Sequence, residues 1–326
     1  MYRSIIAALL FGLVPVSLPS MDEVVPVIEN LAISPPSEPL EIENRLSASG
    51  VLILDAKSGQ RLYGKQIDVR RPMASLTKLM TAIIILENHE LDELVTIPYK
   101  AARIDGNTAY LPVGEDFTVK DLLSAVLIAS ANDAAYTLAV FHSGTIEAFA
   151  EEMNARTEAL GLKDTRFRNP IGLDSFEQWS TPQDIAWLAA FVMSYEELFK
   201  KLSKRGARIR SVQGSYIDLV HTHALMHING SSLDEVAKVV AGKTGTTNAA
   251  KECLFSLVDF DGRSYLVVLL YSSQRYKDMK TILDTIEEKV EIGDKTHKDE
   301  NFTFEIRNPN PLRQGFEGQE SEINVS

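Results

Sequence analysis

Apolar positions change period along the chain, and each change predicts an element. Val51, Leu52, Ile53 and Leu54 form an unbroken run within Ser49–Leu54. Asp55–Gly59 is turn chemistry and Arg61–Tyr63 a second extended segment, so this stretch predicts a hairpin. From Met73 to about Tyr195 the spacing becomes helical. Leu76, Leu79, Met80, Ile83 and Ile84 recur at three- and four-residue intervals, as do Leu122, Leu123, Val126 and Leu127, then Ala134, Leu138 and Phe141, then Ile185, Leu188, Ala189 and Val192. Pro112-Val113-Gly114 and Asn169-Pro170-Ile171-Gly172 punctuate it. Residues 236–241 and 253–260 return to strand composition. Asp261-Gly262 predicts a hairpin turn, Ser264–Tyr271 a strand buried on both faces, and Met279–Val290 a closing helix. The order of hairpin, helices, strands and helix predicts an α/β (α+β) fold. An antiparallel sheet is built from both chain ends, with a helical lobe inserted between them.

The termini read differently. Arg3, the apolar stretch Ile5–Val14 broken only by Gly12, and the turn-prone Pro15–Ser20 predict an export signal over residues 1–20. The apolar part is shorter than the roughly 20 residues that span a bilayer. Leu18-Pro19-Ser20 is not a clean small-x-small cleavage pattern, so an uncleaved N-terminal anchor is the alternative. Both readings put the folded part outside the cytoplasm, in the periplasm or the wider cell envelope. Residues 21–45, with Pro26, Pro35, Pro36 and Pro39, predict a linker. Residues 46–290 predict the folded domain, and 291–326 an acidic, disordered tail.

Charge and cysteine content narrow the chemistry. A net charge of −12 with no Lys/Arg-rich block argues against a nucleic-acid partner and gives no pull toward anionic lipid. A single cysteine, Cys253, excludes an internal disulfide and a thiolate zinc cluster. Within Cys253–Val258 it reads as a small buried hydrophobe.

Three short segments carry candidate chemistry. In Ala74-Ser75-Leu76-Thr77-Lys78, Ser75 and Lys78 share a helix face, just after Pro72. A neutral lysine amine can take a serine proton if burial or a nearby cation lowers its pKa. A surface serine and lysine on an amphipathic helix is the bland alternative. Ser130-Ala131-Asn132-Asp133 follows an apolar run, where Ser, Asn or Asp could equally be a helix cap. Gly242-Lys243-Thr244-Gly245-Thr246-Thr247 closes an apolar strand. Its glycines allow a ligand to approach the backbone, and its lysine and threonines suit a carboxylate.

In this order, Ser-x-x-Lys, Ser-x-Asn and Lys-Thr-Gly resemble the active-site serine penicillin-recognising enzymes, with their β-lactamase/penicillin-binding transpeptidase-like fold. Asn107–Glu115, Leu122–Ala135, Phe167–Leu173 and Ser180–Asp184 resemble the low-molecular-weight D-alanyl-D-alanine carboxypeptidase branch, over roughly residues 46–290. The resemblance implies that Ser75 attacks the carbonyl between two D-alanines of a peptidoglycan stem peptide, with Lys78 as base. It implies that Ser130 passes a proton to the leaving D-alanine and that Asn132 holds the substrate amide. Lys243 would supply positive potential, and Thr244 and Thr246 would bind the terminal carboxylate. The N–H groups of Ser75 and Thr246, the latter following Gly245, would form the oxyanion hole. No cofactor or metal is implied, and β-lactams are implied as covalent inhibitors.

The sequence departs from that branch in places. Ala131 stands where the branch often has glycine, and Thr246 where it often has a bulkier residue. The stretch after residue 290 is too short for the β-rich domain that many relatives carry. Rival readings are a DD-endopeptidase, a non-catalytic wall-binding module and a class A-like β-lactamase. The last would need a Glu-x-x-Leu-Asn segment, which does not occur between Asn132 and Lys243. Gly59–Gln66 nearly fits a P-loop but ends in Gln66, not the Ser/Thr that holds magnesium. His221, His223 and His227 form a metal-like cluster without an acidic or cysteine partner at useful spacing; groove residues explain them equally well.

Overall fold

The computed structural model describes residue 42 and residues 45–227, 237–260 and 262–293, with side chains from 238 and up to 287 at the inner and outer limits of the C-terminal part. The predicted export signal, most of the linker, nearly all of the tail, and Asp261 of the predicted turn lie outside these residues.

In chain order the elements are β1 (Gly50–Asp55), β2 (Arg61–Lys65), the 3-10 turn Ala74–Thr77, and α1 (Lys78–Asn88). There follow β3 (Leu94–Thr96), β4 (Asp116–Thr118), α2 (Val119–Leu127), α3 (Asn132–Ser143), α4 (Ile146–Ala159), α5 (Pro182–Ser194) and α6 (Glu196–Leu202). The chain ends in β5 (Gly206–Arg210), β6 (Tyr216–Val220), β7 (Ala237–Thr247), β8 (Lys251–Phe260), β9 (Arg263–Ser272) and α7 (Arg275–Gly293).

The main sheet has the order β2-β1-β9-β8-β7 and is antiparallel throughout, so the two chain ends meet where β1 pairs with β9. The helices α1 to α6 form the inserted lobe. Side chains alternate across the sheet. Leu52, Leu54, Phe255, Leu257, Leu266 and Val268 face the helical lobe. Val51, Ile53, Val258, Val267 and Leu269 face the opposite side, where Met279, Ile282, Leu283 and Ile286 of α7 cover them. Both faces are thus dry, which is why these strands read as continuous apolar runs rather than alternating ones.

The pattern reading differs from the structure in four places. Polar pairs β3/β4 and β5/β6 interrupt and follow the helical stretch. In β5/β6 only Ile209 and Leu219 are buried, too few for a period-two signal. The strand ahead of Lys243 does not end there but continues to Thr247. Ile42, on the linker side of the boundary at 46, is buried in the sheet's outer core.

Candidate active site

The helix α1 is apolar on nearly every side and runs buried through the lobe. Its first residue, Lys78, therefore sits beyond reach of water, and so does Lys243 on β7; neither has exposed surface. Ser75 lies one turn earlier, in the 3-10 segment rather than in α1 itself. Lys78 Nζ lies 2.9 Å from Ser75 Oγ, 2.6 Å from Asn132 Oδ1 and 2.6 Å from the Ile171 carbonyl oxygen. The last two groups can only accept. A neutral amine that donates both protons to them turns its lone pair toward the Ser75 hydroxyl. Burial pulls Lys78 down to about 7, against the opposing pull of the Asp133 carboxylate.

The loop residues around Lys78 are fixed by their own bonds. Asn132 Nδ2 donates to the Asp105 carbonyl at 2.6 Å, which leaves Oδ1 facing the amine. The carbonyl of Ile171 is aimed by a ring of N–H donors on Asn169 Oδ1: Ile171 N at 3.2 Å, Gly172 N at 2.7 Å and Leu173 N at 3.2 Å. Gly172 has φ +88°, and a Cβ there would collide with the Ala74 carbonyl. Only glycine lets this loop close against the nucleophile's turn. Asp133 accepts from Ala109 N, Leu111 N and Ala134 N, each at 3.0 Å, and so latches the 107–111 loop to the site.

Ser130 precedes α3 with φ +57°, a strained conformation for a residue other than glycine. It is held there by Ala131 N donating to Ala125 O at 3.0 Å and Asn132 N donating to Asn107 O at 2.7 Å. The capping alternative fails: the cap position is Ala131, and no side chain caps α3. Instead Ser130 Oγ accepts from Lys243 Nζ at 2.6 Å.

The edge strand β7 closes the groove. A Cβ on Gly245 would lie 2.7 Å from Ser75 N, so this glycine brings the strand's backbone against the nucleophile's own N–H. Gly242 has another use. A Cβ there would lie 2.7 Å from the Phe255 carbonyl oxygen and 2.8 Å from the His223 ring, so that glycine is packed by the protein and offers no approach to a ligand. Thr244 and Thr246 point to the other face of β7. Thr244 Oγ1 donates to Thr222 Oγ1 at 2.7 Å, and Thr246 Oγ1 accepts from Arg275 Nη1 at 2.8 Å. Arg275 also donates to the Gly245 carbonyl at 2.9 Å. Burial, the Lys78 amine and Arg275 together push Lys243 well below the ordinary lysine range. The guanidinium of Arg275 stands beside Gly245 and Thr246 as a further positive group at this edge.

The sequence reading missed two participants. Ile171 acts through its backbone carbonyl, so its side-chain type carries no signal, and Arg275 comes from a helix start far along the chain. The remaining candidates resolve structurally. His223 Nε2 lies 2.7 Å from Ser256 Oγ, and His227 Nε2 lies 2.7 Å from the His221 carbonyl. Burial holds His221 and His223 down to about 3, so both are neutral supports beneath β7. No group of three or more His, Cys, Asp or Glu side chains among the described residues is arranged to hold a metal ion. Cys253 is buried, and burial pushes its thiol up to about 12, which removes it as a nucleophile. Gly59 lies in the turn of the β1–β2 hairpin and Gln66 just beyond β2, with no helix following, so the P-loop resemblance is accidental. Among the described residues no helix is long and apolar enough to cross a membrane.

Comparison with known proteins gives a consistent result. The D-alanyl-D-alanine carboxypeptidase family profile matches residues 36–273. A D-alanyl-D-alanine carboxypeptidase of Bacillus subtilis is 34% identical over 64% of this chain, but the match spans only about half (53%) of that protein's length. A D-alanyl-D-alanine endopeptidase of Pseudomonas aeruginosa is 30% identical over 74% of this chain and 77% of its own. Among solved structures, a Streptomyces DD-transpeptidase superposes with TM-score 0.68 at 26% identity, covering 75% of this chain and 98% of that one. A Mycobacterium tuberculosis D-alanyl-D-alanine carboxypeptidase superposes with TM-score 0.69 at 25% identity, covering 78% and 96%. The sheet of both chain ends with its inserted helical lobe is thus the penicillin-binding fold.

Proposed function

The chain belongs to the D-alanyl-D-alanine carboxypeptidase family, and on that premise we propose that it is an exported serine-type D-Ala-D-Ala carboxypeptidase working through an acyl-enzyme on Ser75. One observation carries the reading: the buried Lys78 amine, pulled down to about 7, has two fixed acceptors and the Ser75 hydroxyl as its third neighbour.

In the acylation step Lys78 takes the Ser75 proton while Oγ bonds to the carbonyl carbon of the penultimate D-alanine. The N–H groups of Ser75 and Thr246 receive the oxyanion; one such donor is typically worth about 3 kcal/mol. The C–N bond breaks as Ser130, held by Lys243 Nζ at 2.6 Å, gives its proton to the departing D-alanine nitrogen and receives in its place the proton that Lys78 took from Ser75, which leaves Lys78 neutral again. Water then hydrolyses the ester with Lys78 again as base and frees Ser75. Asn132 Nδ2 holds the substrate amide. Thr244 and Thr246, with Arg275 and Lys243 beside them, hold the terminal carboxylate.

Endopeptidase action on cross-linked stems is the second reading, favoured by the similarity to the Pseudomonas aeruginosa endopeptidase. It breaks the same kind of bond and differs in what lies beyond it. Benzylpenicillin is expected to add one mass equivalent to the protein and none to Ser75→Ala; absence of an adduct on the unchanged protein defeats the proposal. Digestion of whole peptidoglycan separates the two readings, since free D-alanine marks the carboxypeptidase and shortened cross-linked dimers mark the endopeptidase.

A further inference from the structure

The leaving side of the scissile bond continues into a face that release of D-alanine does not use. Thr222 marks the passage. Its N–H donates to the Ile128 carbonyl at 3.1 Å, two residues before Ser130, and its Oγ1 accepts from Thr244 Oγ1 at 2.7 Å. It therefore stands between the Ser130 loop, which protonates the leaving nitrogen, and the strand that holds the terminal carboxylate. Two residues earlier Val220 ends β6, so the outward side of the β5–β6 ribbon begins at this end of the groove.

The register of the ribbon sorts its residues. Gly206 lies opposite Val220, Arg208 opposite Asp218 and Arg210 opposite Tyr216. These three pairs face solvent, whereas Ile209 and Leu219 turn inward. From Val220 to Tyr216 the outer face is about 13 Å long at the usual strand rise. Val220 is 66% exposed and Tyr216 61%, with arginines beside them. Tyrosine and arginine on an exposed apolar patch are the composition of a recognition surface.

The charge of this face selects its partner. Lys204–Val220 holds four basic residues and one acidic one, in a chain whose net charge is −12. The acidic one, Asp218, is taken up by Arg208 through two bonds of 2.6 and 2.9 Å. Arg210 lies 5.1 Å over the Tyr216 ring, a contact that fixes the guanidinium without cancelling its charge. Beside the ribbon's tip, the Asp116 carboxylate is occupied by Thr96 Oγ1 at 2.5 Å and Gln213 Nε2 at 2.8 Å. A departing D-alanine ends at the carboxylate site and reaches none of these groups. A leaving amine that belongs to a longer peptide extends past Thr222 and onto them, and a stem peptide brings free carboxylates with it.

We propose that the outer face of β5–β6 docks the second stem of a peptidoglycan cross-link, the one that carries the leaving amine. Val220 and Tyr216 meet its apolar parts and Arg210 a carboxylate. This rests on acylation at Ser75 and deepens the endopeptidase reading by placing the recognition of the cross-link.

The test compares kcat/KM for a purified cross-linked muropeptide dimer and for an uncross-linked pentapeptide muropeptide. The two share their acyl half and differ in what leaves. Arg210→Glu and Val220→Glu put a carboxylate on the exposed face, where substitution leaves folding nearly untouched. Each is expected to lower the rate on the dimer about fivefold, the upper end for an exposed charged contact. Release of D-alanine from the pentapeptide and acylation by benzylpenicillin should stay within about twofold of the parent's, and Arg210→Lys should retain most of the rate on the dimer. Equal losses on dimer and pentapeptide, or no loss on either, overturn the docking face. So does an unchanged protein that forms the benzylpenicillin adduct but does not cut the dimer; in each case acylation at Ser75 stands. If benzylpenicillin leaves no adduct on the unchanged protein, the Ser75 reading falls, and the docking face with it.

Discussion

A buried lysine serves as a base only if its surroundings keep it neutral without leaving its protons unmatched, and Lys78 meets both conditions. Burial supplies the neutrality, and Asn132 Oδ1 with the Ile171 carbonyl supplies the acceptors. The sign of the pH dependence follows. Only the neutral amine can take the Ser75 proton, so acylation should rise as pH rises through about 7 and level off above it. The rate of benzylpenicillin adduct formation between pH 5.5 and 8.5 measures this; a flat profile removes Lys78 from the base role. Stability moves in the same direction in a higher window. The unfolded chain binds a proton on Lys78 between about 7 and its ordinary 10.5 that the folded protein does not, so this lysine's contribution to stability improves as pH rises across that window. Lys78→Arg cannot deprotonate and should abolish acylation. At this scale the sequence was readable where a side chain does the work. Ser75, Lys78 and Asn132 fall into one hydrogen-bonded set and Ser130 with Lys243 into a second. It was silent where a backbone atom acts, as at Ile171. It was also silent where a partner arrives from another element, as with Arg275 on Thr246.

Among the elements, the edge strand β7 and the 3-10 turn Ala74–Thr77 matter most, because their backbones rather than their side chains make the groove's narrowest point. The Gly-Lys-Thr-Gly spelling pointed to a close approach, but not to what approaches. At Gly245 it is Ser75 N and at Gly242 it is His223 and the Phe255 carbonyl. A pattern of missing side chains marks where space is needed and cannot say which neighbour fills it. Gly245→Ala puts a methyl 2.7 Å from Ser75 N and 2.9 Å from Ala74 Cβ, so either the turn or the strand must shift. Because that shift displaces an oxyanion donor, acylation by benzylpenicillin should fall about 100-fold. Thermal unfolding should show a smaller loss than a core truncation would cause, since Gly245 sits at the sheet's edge. An acylation rate within threefold of the parent's would mean that the N–H of Ser75 is not part of the site.

For the molecule as a whole, what holds the nucleophile in place is the joining of two distant chain ends. Strand composition before and after a helical stretch was enough to read that one sheet takes strands from both. Neighbour order was not readable, because period-two patterns fix which face a residue presents and not which strand lies beside it. The joint itself was hidden for a similar reason: Asp278 lies one residue ahead of the predicted closing helix and looks like one more polar residue of the turn before it, whereas the helix begins at Arg275. In the structure it is buried and accepts from Ser47 N at 2.7 Å, Ser47 Oγ at 2.8 Å, Ala48 N at 2.9 Å and Ser272 Oγ at 2.6 Å. One carboxylate thereby fastens the segment entering β1 to the end of β9 and the start of α7. Asp278→Ala takes the acceptor from the N–H groups of Ser47 and the buried Ala48 and leaves the Ser47 and Ser272 hydroxyls, 3.1 Å apart, only each other in its place. The cost should be about 3 kcal/mol, at the upper end for hydrogen bonds to a charged group, because several donors lose their partner together. The joint lies on the sheet's outer side, away from Ser75, so the acylation rate of protein that remains folded should match the parent's. Urea unfolding followed beside benzylpenicillin labelling in native buffer separates the two quantities. An unchanged midpoint would show that the chain ends are held by the β1–β9 ladder alone, and a slowed acylation at full foldedness would show that the joint reaches the active site.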